Sequence, residues 1–148
     1  MAIPISERET QERAPRMWIP PLLILPLIVY NILVFFFFGS IEGGWATPIL
    51  EVPMVSGTAW TLSLSDTFLV VTLFLLFVEV LKSTRTDAGS MFEHMASTLV
   101  FVAFLVEFLV VAKASTSLFF LCTVMSFIDV VAGFSVSMRA ARRDFGAG

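Results

Sequence analysis

The stretch Pro20–Phe38, PPLLILPLIVYNILVFFFF, contains no charged side chain over 19 residues. A helix of this length can cross the hydrocarbon core of a bilayer, which is about 30 Å thick. Pro20 and Pro21 suit the first turn of a helix, where backbone N–H groups have no intrahelical acceptor, whereas Pro26 predicts a kink. The stretch therefore predicts a transmembrane helix.

The composition predicts that most of the chain is surrounded by lipid. Of the 148 residues, 57% are hydrophobic and only 14% are charged, whereas soluble domains carry about 25% charged residues. The net charge of −3 and the lack of a Lys/Arg cluster argue against nucleic acid as a partner. Cys122 is the only cysteine, which rules out an internal disulfide and a cysteine-based metal site.

Three further apolar stretches predict spans at about residues 60–81, 92–112 and 117–138. In the first of these, the uncharged core Thr67–Val78 has only 12 residues, which is too short to cross a bilayer. The second span must therefore also include Asp66, Glu79 or both.

The segment between the first two spans has a different character. Residues 39–59 contain several glycines and prolines and are predicted to lie on the outer membrane surface. The predicted fold class is all-α, a polytopic membrane protein with a four-transmembrane-helix bundle. Its predicted parts are an N-terminal cytoplasmic surface segment (1–19), the bundle (20–138, first span 20–38) and a basic cytoplasmic tail (139–148).

The basic residues predict the orientation of the bundle. Eight of the nine Lys and Arg residues fall on one side: three in the N-terminal segment, two in the loop between the second and third spans, and three in the tail. Only Lys113 falls on the other side. Because basic residues concentrate in cytoplasmic loops, both termini are predicted to be cytoplasmic. The compact chain without an organelle-targeting leader indicates a bacterial inner membrane.

Asp129 is the most prominent ionisable residue within a predicted span. It lies near the middle of the fourth span, where a charged side chain costs about 2.5–3.5 kcal/mol on insertion. At helical spacing it shares a stripe of small and polar residues that should face other helices: Cys122, Ser126, Gly133 and Ser137. Tyr30 and Asn31 fall near the midpoint of the first span, so either is expected to bond to Asp129 at the midplane.

Other ionisable residues are predicted to pair by depth across the second and third spans, which a short loop makes antiparallel neighbours. Asp66 and Glu107 come out near the outer ends, and Glu79 and His94 near the cytoplasmic ends. However, Asp66 and Glu79 lie 13 residues apart and so point to different helix faces, which argues against one continuous polar path.

Two interpretations of these residues remain open. The first is a proton or cation path, and its members would be His94, Glu79, Asp129, Asn31, Tyr30, Asp66 and Glu107. The second is packing: Asp66 suits a first helical turn. Glu79 can approach Lys82 or reach the membrane interface, and Glu107 can pair with Lys113 or be protonated.

The sequence predicts no catalytic residue, no cofactor and no metal site. The adjacent Glu93 and His94 point about 100° apart on a helix, so they do not form a metal-binding face. The predicted function is a non-enzymatic accessory or assembly subunit of a larger membrane complex, and its partners are the lipid bilayer and either other membrane subunits or further copies of the chain. The alternative is a small oligomeric proton or cation channel or transporter that uses Asp129. A third, weaker hypothesis is an enzyme that acts on lipid or quinone through His94 and Glu93.

Overall fold

The computed structural model describes residues 19–84 and 90–146. The described chain is mostly helical, with one β-hairpin. The predicted N-terminal segment 1–19, except Ile19, and the centre of the loop between the second and third spans lie outside the described residues. The elements are α1 (Ile24–Ile32) with a π-helical turn (Leu33–Phe37), α2 (Ile41–Trp45), β1 (Pro48–Pro53), β2 (Ala59–Ser63), α3 (Leu64–Ser83), α4 (Ser90–Val110), a 3₁₀ turn (Ala112–Ala114) and α5 (Ser117–Gly146).

Three of the helices are long and apolar enough to cross a membrane. The stretches that meet this condition are Leu64–Ser83, Met91–Val110 and Ser117–Arg143. They correspond to α3, α4 and α5, so these helices are compatible with a membrane protein.

The first predicted span is shorter as a helix than as a sequence stretch. Its continuous helix, Ile24–Phe37, has nine α-helical and five π-helical residues, which span about 20 Å. The chain before it forms tight turns, in which Ile24 N–H donates to the Pro21 carbonyl at 3.2 Å. At the other end, Phe38 is extended. A run of apolar residues thus indicates a hydrophobic environment without fixing how many of its residues are helical.

A capping box fixes the start of α3. The Ser63 hydroxyl accepts from the Asp66 N–H at 3.2 Å, and the Asp66 carboxylate accepts from the Ser63 N–H at 3.0 Å. These reciprocal bonds satisfy two backbone donors at a helix start. The helix therefore begins at Leu64, later than the predicted start at Trp60, because Trp60 belongs to β2.

The hairpin β1–β2 occupies part of the segment that was predicted as irregular surface chain. Glu51 lies opposite Thr61 in an antiparallel pair. At the tip, the Gly57 N–H donates to the Met54 carbonyl, and the Met54 N–H donates to the Thr58 carbonyl, both at 2.9 Å. Gly57 has a φ of 84°, a conformation that glycine adopts at little cost.

The hairpin has one apolar and one more polar face, because side chains alternate along a strand. The register places Leu50, Val52, Trp60 and Leu62 on one face and Glu51, Pro53, Ala59 and Thr61 on the other. The all-α prediction missed this element because the alternation covers only a few residues and prolines bound the first strand.

Helix α5 is the centre of the helix packing. It packs against both α3 and α4. The sequence predicted α3 and α4 to be antiparallel neighbours, but they make few contacts with each other. The small residues of its stripe explain this arrangement, since they let neighbouring helices come close. Cys122 faces Thr72 of α3, and Gly133 contacts the His94 ring of α4.

The end of α5 continues beyond the predicted span. The helix runs through the basic residues that were predicted as a tail and ends at Gly146. The sequence from Met138 to Arg143 contains only Met, Arg and Ala, which are strong helix formers.

An aromatic cluster joins α1 and α2 to α3 and α5 at the hairpin end of the bundle. The Tyr30 ring lies 5.2 Å from Trp45 and 4.6 Å from Phe119, and Trp45 lies 5.1 Å from Phe68. The Tyr30 hydroxyl donates to the Lys113 carbonyl at 2.9 Å and lies 2.9 Å from the hydroxyl of Thr116. A buried tyrosine needs such partners for its polar end.

Candidate functional site

The polar side chains of three helices meet at the end of the bundle opposite the hairpin. We call this group the polar cluster. The space between its members is about 10 Å³, room for one water molecule at most. Its members are Glu79, Lys82 and Ser83 from α3, Glu93, His94 and Ser97 from α4, and Asp129 and Gly133 from α5.

Glu79 is the most highly connected member of the polar cluster. Its side chain is almost fully buried and lies 2.8 Å from the Lys82 ammonium group, one helical turn away. Its second carboxylate oxygen accepts from the Leu22 N–H at 3.2 Å, just before α1. The first N–H groups of a helix have no intrahelical acceptor, so Glu79 of α3 satisfies a donor at the start of α1.

Asp129 is 4% exposed and lies within the polar cluster. Its carboxylate faces the hydroxyl of Ser97, with Glu79 and Lys82 nearby. The other members of the stripe that the sequence predicted on α5 also turn inward: Cys122 and Ser126 are buried, and Gly133 contacts α4.

The predicted bond from Asp129 to Tyr30 or Asn31 is wrong. Tyr30 contacts Thr116, just before α5 begins. Asp129 follows Thr116 by 13 residues, which is about 20 Å along a helix. The prediction assumed that the middles of the first and fourth spans lie at the same depth. Instead, the chain just before α1 contacts Glu79 of the polar cluster, and the middle of α1, at Tyr30, lies beside Thr116 at the hairpin end.

Three residues of α5 hold the His94 ring. Its Nε2 atom lies 2.7 Å from the Ser137 hydroxyl. The ring packs directly on Gly133, and it stacks on Phe134 with centroids 6.1 Å apart. His94 and Glu79, which the sequence placed at similar depth, both line the polar cluster.

Asp66 lies in the capping box, at the exposed start of α3 and separate from the polar cluster. Its side chain accepts bonds from the backbone and the hydroxyl of Ser63. Asp66 therefore lies in the first helical turn, as the packing interpretation predicted. The structure does not bring Asp66 together with Glu107.

Glu107 lies beside α1 and lines an apolar groove together with Asn31. Its Oε1 atom is buried and has no hydrogen-bond partner among the described residues. The predicted pair with Lys113 is not formed, since the Lys113 ammonium group lies 4.6 Å above the ring of Phe35. Asn31 donates to the Leu27 carbonyl of its own helix at 3.0 Å.

Sequence reasoning missed two partners in the polar cluster. Ser97 lies three residues after His94, so helical spacing could have placed both on one side of α4. The Leu22 N–H could not have been found, because a contact between α1 and α3 leaves no pattern in the sequence. Within residues 19–84 and 90–146, no group of three His, Cys, Asp or Glu side chains could hold a metal ion.

No family model, curated protein or solved structure matches this chain. The fold and the polar cluster define it only as a helical protein with three helices of membrane-crossing length and a buried polar contact between them. Any functional assignment therefore comes from the chemistry of the described residues.

Proposed function

We propose that this chain is a non-enzymatic accessory or assembly subunit of a larger complex in a bacterial inner membrane. In this proposal the first predicted span, Pro20–Phe38, also crosses the membrane, because its 19 residues are uncharged. Both termini are then cytoplasmic, as the distribution of basic residues favours. The observation that carries the proposal is a contrast between a filled polar interior and a grooved apolar exterior.

Three apolar grooves lie on the exterior of the described helices. Each has a volume of about 510–540 Å³. In a membrane, small concave surfaces of this kind suit the side chains of a neighbouring helix, since close packing is what drives helix association there. The α1 groove includes Ile28 and Phe36, the α4/α5 groove includes Met95, Leu99 and Phe134, and the α3/α5 groove includes Leu73, Phe77 and Ile128.

The interior of the bundle favours a structural role for the polar groups. Glu79 pairs with Lys82 and accepts from the Leu22 N–H, Asp129 faces the Ser97 hydroxyl, and almost no space remains between the members of the polar cluster. Asp66 and Glu107 lie outside this cluster, in separate surroundings. Buried polar groups that satisfy one another can fix the relative positions of helices.

Purification from native membranes in mild detergent tests the proposal. We expect the tagged chain to recover a partner subunit at a fixed ratio. Single Trp substitutions in the grooves, namely Ile28→Trp, Leu99→Trp and Leu73→Trp, should fill them in turn, and at least one should release the partner. The control is Leu109→Trp, since Leu109 is 70% exposed and lines none of the three grooves. Recovery of the free chain alone would overturn the proposal.

The buried acids keep a second candidate function open, a small oligomeric proton or cation transporter. Ionisable residues inside membrane-crossing helices commonly mark ion paths, and Asp129 and Glu79 are both buried. If this function holds, Asp129→Asn abolishes potential-driven flux into liposomes while the far-UV circular dichroism stays unchanged. A wild-type protein that carries no flux would remove this candidate.

A further inference from the structure

The two outer edges of the β-hairpin differ in what they offer to another strand. Met54 and Thr58 form a hydrogen-bonded pair at the tip, because the Met54 N–H donates to the Thr58 carbonyl. Hydrogen-bonded and non-bonded pairs alternate along an antiparallel ladder. The pairs Pro53–Ala59 and Glu51–Thr61 are therefore non-bonded pairs, whose backbone groups point away from the hairpin.

The β1 edge is protected against pairing. Of its two outward positions, Pro53 has no N–H to donate, and Glu51 carries an exposed charge. Proline and charge are the devices by which edge strands avoid adding further strands.

The β2 edge is unprotected. Its outward positions, Ala59 and Thr61, are exposed, and neither N–H has an acceptor within the described part of the chain. The whole strand, AWTLS, contains no charge and no proline.

We infer that the β2 edge pairs antiparallel with the β2 edge of a second copy of this chain, which gives a continuous four-stranded sheet. Placing Ala59 of each copy opposite Thr61 of the other uses both free donors and acceptors of each edge. Trp60 then faces Trp60 of the second copy as an aromatic cross-strand pair. The same pairing through β1 would have only one outward N–H donor on each edge, because Pro53 has none.

The amphipathic character of the hairpin makes this pairing compatible with a membrane. Two identical antiparallel strands are related by a two-fold axis perpendicular to their sheet. Two copies of a membrane protein inserted in the same orientation are related by a two-fold axis along the membrane normal. The two axes coincide when the hairpin lies flat on the membrane. Its apolar face, with Trp60 49% and Leu50 51% exposed, then meets lipid, while Glu51 and Thr61 face water.

Disulfide cross-linking in native membranes tests this inference and is independent of the proposed function. A copy with Ala59→Cys and a differently tagged copy with Thr61→Cys are co-expressed and oxidised. Hydrogen-bonded pairs have Cα atoms about 5.5 Å apart, within the range that a disulfide bridges. The control places Val52→Cys in both copies, since the same pairing through β1 would set Val52 opposite Val52, and it leaves Pro53 and Glu51 in place. The native Cys122 is buried and is present in both arms.

We expect a dimer that carries both tags from the first pair and none from the control pair. A second measurement compares Thr61→Pro with Glu51→Pro, which remove one outward N–H each and leave the bonds within the hairpin intact. Only Thr61→Pro should reduce the dimer fraction counted by single-molecule photobleaching in bilayers. No dimer from either pair, or equal dimers from both, overturns the inference. Loss of a different co-purified subunit in Thr61→Pro without any self-cross-link assigns the edge to another protein and also overturns it.

Discussion

The contact between Gly133 and His94 allows a quantitative test of how α4 and α5 are held together. A methyl group at position 133 would lie 2.5 Å from Nδ1 and 2.8 Å from Cε1 of His94, whereas ordinary contact begins at 3.4 Å. In Gly133→Ala the ring must therefore move by about 1 Å in an interior that is closely packed. It cannot move freely, because it bonds to Ser137 and stacks on Phe134.

Two effects of opposite sign determine the stability of Gly133→Ala. Overpacking costs about 1–3 kcal/mol, and alanine in place of glycine within a helix returns about 0.5–1 kcal/mol. The expected net loss in the free energy of unfolding is about 1 kcal/mol. A double-mutant cycle with His94→Ala separates the two effects, because the helix propensity of position 133 is the same in both backgrounds. The coupling between the two substitutions should be about 1–3 kcal/mol.

The free energy of unfolding is measured for the wild type, the two single variants and the double variant. The method is reversible unfolding in mixed micelles, with SDS as denaturant and far-UV circular dichroism as the signal. The control is Gly39→Ala, since a methyl group there meets no atom within 4 Å and should show no coupling to His94. If Gly133→Ala stabilises the protein while His94 is present, or if the coupling is close to zero, then His94 does not pack on Gly133 as described.

Three other substitutions test contacts that join distant parts of the chain. Tyr30→Phe removes the hydroxyl from Thr116 and should lower the free energy of unfolding by about 1 kcal/mol in the same assay; an unchanged value would contradict the two bonds. Glu79→Leu removes the acceptor of the Leu22 N–H, so hydrogen–deuterium exchange should become faster in a peptide that contains Leu22, and unchanged protection would show that the bond is not formed. Asp129→Leu removes the carboxylate that the Ser97 hydroxyl faces, so it should lower the free energy of unfolding by about 1–3 kcal/mol; a gain in stability would show that the carboxylate does not stabilise the fold.

Local patterns made some features of the fold predictable. The long apolar runs of α3, α4 and α5 predict helices because a bilayer demands about 20 apolar residues in a row. Small residues at helical spacing likewise predicted which side of α5 faces its neighbours, since close helix packing needs them. The start of α3 could also have been predicted, because Ser63 and Asp66 have the spacing of a capping box.

Other features depend on contacts between distant segments and were not predictable. The depth assigned to Tyr30 assumed that the first and fourth spans lie side by side with their middles level, whereas contacts between distant segments place the start of α1 beside Glu79 and Tyr30 beside Thr116. The hairpin was missed because its strands alternate over too few residues to stand out beside the helices. The central place of α5 was missed because a short loop between α3 and α4 does not by itself determine which helices pack together.

The long reach of the bonds that hold α1 has a consequence for the order in which the chain assembles. The acceptor of the Leu22 N–H is 57 residues further along the chain, and the acceptor of the Tyr30 hydroxyl is 83 residues further. When α1 leaves the ribosome, neither of these residues has been synthesised. The first helix of the chain must therefore wait with unpaired groups at its start and on its flank. It reaches its final contacts only after α3 and then the turn before α5 have been synthesised.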